Sequence, residues 1–159
     1  EWSDYVHRDD PNSKLRTYKQ FKTEFGVENY LLSFKNFTTR KEFSKLRTSA
    51  HSLEIELGRH TYAKTPSEQR LCKVCLTQWV EDEKHFIIDC PFYLQEREDL
   101  YANLFGTQFH SLNSNQKFLF IMSYNNGDTE ILQPVVEFIN KCLIKRKTKL
   151  SPPPPACAV

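Results

Sequence analysis

The chain has 159 residues, a formal net charge of +2 and 39% hydrophobic side chains, enough for one modest core. No apolar run reaches membrane-spanning length and no charged-then-apolar leader is visible. A membrane protein and a secreted, disulfide-built domain are therefore not expected; an intracellular chain, nuclear or cytoplasmic, with reduced thiols is.

Twelve Phe and seven Tyr against only four Gly favour helices packed through aromatic rings. The charge is unevenly placed. Residues 11–50 hold nine Lys/Arg against three Glu, whereas residues 71–100 hold three Lys/Arg against seven Asp/Glu. A basic arm thus precedes an acidic finger.

Residues 1–12 show no periodicity and read as an irregular start; Glu1 is no natural initiator, so the chain reads as cut from something longer. A basic helical linker follows over 13–65. Leu15, Tyr18, Phe21 and Phe25 recur at helical spacing with Lys14, Arg16, Lys19 and Lys22 between them, and Gly26 is a natural stop. Residues 28–37, with Tyr30, Leu31, Leu32, Phe34 and Phe37, predict a short apolar helix. Thr38 or Thr39 then caps a longer one, with Glu42 in capping-box position, Phe43, Leu46, Leu53 and Leu57 inward, and Gly58 as terminator. Arg40, Lys41, Lys45 and Arg47 line its first half. They either solvate a helix face or, with the cations before Phe37, present a surface to phosphates. His51 and Glu54 share a face one turn apart, and a hydrogen bond between them that steadies the helix against the finger is expected over a two-group metal site.

The finger, residues 66–93, contains Cys72-Lys73-Val74-Cys75, then His85, then Cys90. Three thiols and one imidazole at C-x2-C-x9-H-x4-C match one tetrahedral zinc site, with Cys72 and Cys75 clamping from a tight turn. A short helix over 80–88 turns His85 inward and returns Cys90 at its end. Four protein ligands leave no open position, so one structural Zn2+ is expected. Disulfides and unligated thiols are the competing readings. Cys142 falls on an apolar stripe as a small hydrophobe, and Cys157 sits free in the tail.

Pro91 fits the first turn of a helix carrying Phe92, Leu94, Leu100, Tyr101 and Leu104 and stopping near Gly106. Residues 113–123 predict another, capped by Asn113 or Ser114, with Phe118 to Ile121 buried. Asn125-Asn126-Gly127-Asp128 is a turn, Asp128 capping a last helix with Ile131, Val135, Phe138, Ile139, Cys142 and Leu143 inward. Pro134 is tolerable there only in a first turn or at a kink. These C-terminal helices, over 94–150, pack on the same core. Lys145 to Lys149 suit the helix C-terminus, and 151–159, with four consecutive prolines, read as a disordered tail. The fold expected is mainly α: five to six helices around an inserted CCHC zinc knuckle.

Three runs carry a resemblance: residues 46–60 (LRTSAHSLEIELGRH), 68–75 (EQRLCKVC), and 80–86 (VEDEKHF) with Cys90-Pro91. Together, over about residues 14–98, they resemble the helical linker and CCHC knuckle downstream of the polymerase core in reverse transcriptases of non-LTR, LINE- or jockey-like, retrotransposons. The resemblance implies binding of RNA and target DNA, and zinc held by Cys72, Cys75, His85 and Cys90. The polymerase's aromatic-x-Asp-Asp motif is missing, since His7-Arg8 precede Asp9-Asp10, and no acidic cluster suits two-metal nuclease chemistry. The chain itself is expected to be non-catalytic, with no small-molecule substrate; a hydrolase on His51, Glu54 and a cysteine lacks nucleophile–base spacing.

Electrostatics refine this expectation. Three thiolates and Zn2+ sum to about −1, and Glu81, Asp82 and Glu83 adjoin them, so the finger's own face should repel phosphate. Phosphate contacts are expected instead on Lys14, Arg16, Lys19, Lys22, Arg40, Lys41, Lys45, Arg47 and the 145–149 cluster. Trp79 at the finger's tip either stacks on an unpaired base or lids the metal. The alternative function is a zinc-stabilised helical scaffold that binds protein.

Overall fold

A computed structural model describes residues 1–8, 10, 13–34, 36–104, 107–124 and 129–152. The turn at 125–128, the stop at Gly106, the Asp9 position, Cys157 and the tail beyond Pro152 lie outside them. The protein is mainly helical, and among the described residues the only extended pairing is an isolated antiparallel bridge between Leu71 and Val80.

The C-terminal half follows the sequence pattern closely. Pro91 opens a 3-10 turn, Pro91–Tyr93, that leads into a helix at Leu94–Asn103. Asn113 caps Ser114–Ser123 by accepting from the Gln116 amide, while the Gln116 side chain answers to Asn113, a complete capping box. The last helix, Thr129–Leu150, buries Leu132, Val135, Val136, Phe138, Ile139 and Cys142, and holds Pro134 in its second turn. We number the α-helices in chain order: α1 Trp2–Val6, α2 Asn29–Ser33, α3 Phe37–Arg47, α4 Glu54–Leu57, α5 Leu94–Asn103, α6 Thr107–Ser111, α7 Ser114–Ser123 and α8 Thr129–Leu150. Helix α8 packs against both α3 and α5, so it is the axis of the core.

The N-terminal half departs from the pattern in four places. The irregular start contains α1. The helix expected from Ser13 to Gly26 is reduced to turns and a 3-10 segment, Tyr18–Gln20, and Phe25 is exposed. Its polar residues are held by distant partners instead: Arg16 by Glu56 and Glu83, and both Tyr18 and Lys22 by Glu28. Asn36 caps α3, its side chain accepting from the Thr38 amide at 2.9 Å, so Thr38 and Thr39 fall inside the helix rather than at its cap. Finally, the long helix expected to reach Gly58 ends at Arg47. Ser49 turns out at φ 52°, its hydroxyl donating to Glu83, and the chain resumes helix only at α4, leaving Leu57 exposed. Partners on Glu83 outweigh local helix propensity over this stretch.

Candidate metal centre

The first ligand pair stands on a turn held by the Leu71–Val80 bridge. The Cys72 amide donates to the Trp79 carbonyl at 2.8 Å, and the Glu81 amide to the Arg70 carbonyl at 2.9 Å. Between them the chain reverses through Lys73 to Cys75, with Leu76 at φ 56° and Gln78 at φ 59°. Both take the left-handed region without glycine, a local cost of order 1 kcal/mol each that the surrounding contacts must offset.

The second pair stands on a different device. Asp82 accepts from the His85 amide at 2.7 Å and starts a helical turn that widens into a π-helix over His85–Asp89. Its closing bond runs from the Cys90 amide to the His85 carbonyl at 2.7 Å. A five-residue step in a π turn returns to the same side of the helix, so His85 and Cys90 face one point. That is the geometric content of the H-x4-C spacing.

The result is a single cluster. Cys72, Cys75, His85 and Cys90 each offer one ligand atom, all within 4.8 Å of one another. The ligand atoms of a tetrahedral site with metal–sulfur bonds of about 2.3 Å lie about 3.8 Å apart, so small shifts close this set on one ion. Cys72, His85 and Cys90 are buried and Cys75 is half-buried. His85 Nε2 lies 3.4 Å from Cys75 Sγ, while its Nδ1 is buried with no hydrogen-bond partner. None of these cysteines forms a disulfide. The Trp79 ring stands edge-on to His85, centroids 5.9 Å apart, yet Trp79 remains 57% exposed. It touches the site and presents a free face at once.

The donors are hydrogen-bonded to one another, and these bonds shift their protons. A hydrogen bond from Cys90 pulls the Cys72 thiol down to about 3 against the effect of burial, helped by His85 and the amides of Cys75 and Val74. The same bond to Cys72, with burial, pushes Cys90 up. Burial opposes a charged His85, but its hydrogen bonds to Cys72 and Cys75 prevail and raise it. An ion entering here displaces protons that the thiols and ring already hold among themselves.

Around this cluster three arginines from distant segments grip the loop. Arg146 of α8 forks onto Glu81 at 2.8 and 2.7 Å and reaches Glu54 at 3.3 Å; Glu81 in turn accepts from the Glu54 amide and lies 3.7 Å from Cys72 Sγ. Arg97 of α5 donates to the carbonyls of Ile87 (2.9 Å) and Cys90 (2.6 Å), satisfying the end of the π turn. Arg16 bonds Glu83 at 2.7 Å. His51 completes that last knot. The Leu53 amide donates to its Nδ1, which makes Nε2 the protonated nitrogen that donates to Glu83 at 2.8 Å. Burial opposes the Glu83 charge, but His51 and Arg16 hold this carboxyl at about 2.

This changes the place of several expected residues. His51 does not bond Glu54; it bonds Glu83, and Glu54 pairs with Arg146 and with Lys73 at 2.8 Å. Glu81 and Glu83 are buried against cations, and Asp82 caps a turn, so the acidic face expected on the finger is folded inward. Among the expected phosphate contacts, Arg47 is 1% exposed, paired with Glu28 and stacked over Phe21. Lys22 is also buried on Glu28, the half-buried Arg16 pairs with Glu56 and Glu83, and Arg40 caps the carbonyls of Leu31 and Phe34. These four hold the fold together, and their guanidinium or ammonium groups are spent. Lys14 stays exposed, Lys19 is half-buried beside the Arg8 carbonyl, and Lys41 and Lys45 stand half-exposed beside Glu42.

Arg97 escaped the sequence reading, and Arg146, expected with the 145–149 cluster as a phosphate contact, is instead buried on Glu81, although a signal for both exists. Arg146 continues the stripe Val135, Ile139, Cys142 at helical spacing, and Arg97 falls between Tyr93 and Leu100 on another. A cation on an apolar stripe demands a buried carboxylate or carbonyl. Among the described residues no helix is long and apolar enough to cross a membrane. Comparison with protein-family models, curated proteins and solved structures finds no match.

Proposed function

We propose that this chain is a non-catalytic nucleic-acid-binding module stapled by one structural Zn2+ in a CCHC knuckle, similar to the region beyond the polymerase core of a non-LTR retrotransposon reverse transcriptase. The observation that carries the reading is the convergence of three cysteines and one histidine, all four from the chain itself, within 4.8 Å. That donor set suits zinc, and four protein ligands leave no coordination position for water or substrate, which argues for a structural ion. Cys72, Cys75, His85 and Cys90 would hold it, and its binding energy would be folding energy for a loop with almost no regular secondary structure.

Two further features support nucleic acid as the partner. With Glu81 and Glu83 folded inward onto Arg146 and Arg16, the knuckle has less surface charge to repel a phosphate than its composition suggests. Exposed Trp79 offers a ring face for an unpaired base, with Lys73, 63% exposed at its side chain, on the same loop. Lys14, Lys41 and Lys45 are exposed or half-exposed cations that could serve the backbone. The test is elemental analysis followed by titration with single-stranded RNA and DNA across salt. One zinc per chain, affinity that falls steeply with salt, and a loss on Trp79→Ala are expected. Absence of metal would sink the staple; salt-insensitive or absent binding would sink the nucleic-acid reading.

A further inference from the structure

The structure carries one feature that the metal centre does not use and whose apolar floor a nucleic-acid surface does not need: an open groove of about 820 Å³ between α3 and α8, sharing only its rim lysines with the proposed phosphate contacts. Its wall on α3 is Thr38, Lys41 and Glu42, one helical face. Its wall on α8 is Asn140, Leu143, Ile144, Lys147 and Leu150, again one continuous face at i, i+3, i+4, i+7 spacing, with Ser151 just beyond the helix end. Ile144 is 68% exposed there and Leu150 is also exposed. Large apolar side chains aligned in a concave surface, rather than scattered singly, mark a contact surface.

We propose that this groove docks an amphipathic helix of a partner protein whose apolar stripe is flanked by carboxylates. The floor sets the apolar requirement: Leu143, Ile144 and Leu150 gain from covering by hydrocarbon and gain nothing from a phosphate backbone. The charge of the rim sets the rest. Lys41 and Lys147 are its cations; Glu42 is engaged by Lys45 at 3.0 Å and lies 3.9 Å from Lys41, so the rim keeps a net positive charge, while Arg146 is spent on Glu81. What a visitor meets is therefore positive flanks on an apolar trough, complementary to a helix with Glu or Asp beside its Leu and Ile residues. The length agrees as well. Residues 140–150 span about 16 Å of helix, which faces about three turns of a partner. Helical walls and the absence of any sheet edge among the described residues leave helix-in-groove as the recognition mode, not strand addition.

The experiment is fluorescence anisotropy of the full chain with a synthetic peptide of about 18 residues, carrying Leu at i, i+4, i+7 spacing flanked by Glu, and with its Glu→Lys twin. The acidic peptide should bind and the basic twin should not. Ile144→Glu, at an exposed site, should keep the melt of the parent and weaken the acidic peptide by at least about tenfold while leaving RNA affinity unchanged. Lys41→Glu with Lys147→Glu should reverse the preference toward the basic twin. Equal binding of the two peptides, or indifference to Ile144→Glu, overturns the proposal. So does an equal loss of RNA affinity in Ile144→Glu, which makes the groove a nucleic-acid site. A dimer in sedimentation velocity that Ile144→Glu disperses makes a second copy of this chain the occupant and overturns it too. Failure of all RNA binding would leave the peptide result standing.

Discussion

The Cys/His loop and the α5–α7–α8 assembly share one core but are held by different forces. Around the loop, residues 70–93 have one isolated bridge, short 3-10 and π turns, and no long helix. Their order rests on converging side chains: four metal-type donors, and Arg146, Arg97 and Arg16 locked onto carboxylates and carbonyls. The helices to the C-terminal side satisfy their own backbone; α5 and α8 pack on each other and α7 packs on the π turn, through one apolar cluster that includes Phe118, Ile121, Leu132, Val135 and Ile139. Polar convergence is all-or-none, because a buried charge that loses its partner costs more than the pair contributed. Apolar packing is graded, because each methylene removed costs its own share.

The comparison breaks most visibly at the proposed Zn2+. Chelation, or Cys75→Ser, should remove folding energy on the order of 10 kcal/mol from the loop, since structural zinc in small modules contributes that much. Amide exchange should show residues 70–93 losing protection while α8 keeps more of it; uniform loss would mean that the two regions are one cooperative unit. Next in size is Arg146→Ala. It strands Glu81, 1% exposed, without its two-bonded partner, and a loss of about 4 kcal/mol is expected in denaturant melts. Arg146→Ala with Glu81→Gln should recover part of that loss, and no recovery would deny the pair its role. A graded change belongs to the other region: Ile139→Val, in the fully buried stripe of α8, should cost about 1 kcal/mol with metal content unchanged. Smallest is Asn113→Ala. Removing the α7 cap should cost about 0.5–1 kcal/mol, and a loss as large as that of Arg146→Ala would show that the helical side is not graded after all.

The sharpest departures from sequence expectation cluster where the forces are of the first kind. Arg47 illustrates the reason. It was placed with Arg40, Lys41 and Lys45 as a basic face, but it also stands four residues after Phe43, and that second periodicity carries it inward onto Glu28 and the rings of Phe21 and Tyr30. Arg16 and Lys22 behave alike: each met a carboxylate that no local pattern announces. His51 was expected on Glu54, its neighbour on a helix, but no helix forms there because Glu83 binds both Ser49 and His51. Gly58 marks the same effect on the backbone. A Cβ there would stand 2.6 Å from Arg70 Cγ, whose guanidinium ties the loop to the carbonyls of Ile55 and Thr65.

What the sequence determined by itself is what short-range spacing fixes: the mainly helical class, a cap at Asn113 or Ser114 that the structure assigns to Asn113, the Pro91 turn, the buried stripe of α8, and the four-residue metal set with its return turn. These follow from backbone periodicity and from ligand geometry, both of which are local. Tertiary structure alone decided which charges are surface and which are fasteners. An arginine's side chain is long enough to serve either purpose, and the choice depends on a carboxylate that can lie far off in sequence, as Arg16 finds Glu56, 40 residues away, and Arg146 finds Glu54, 92 away.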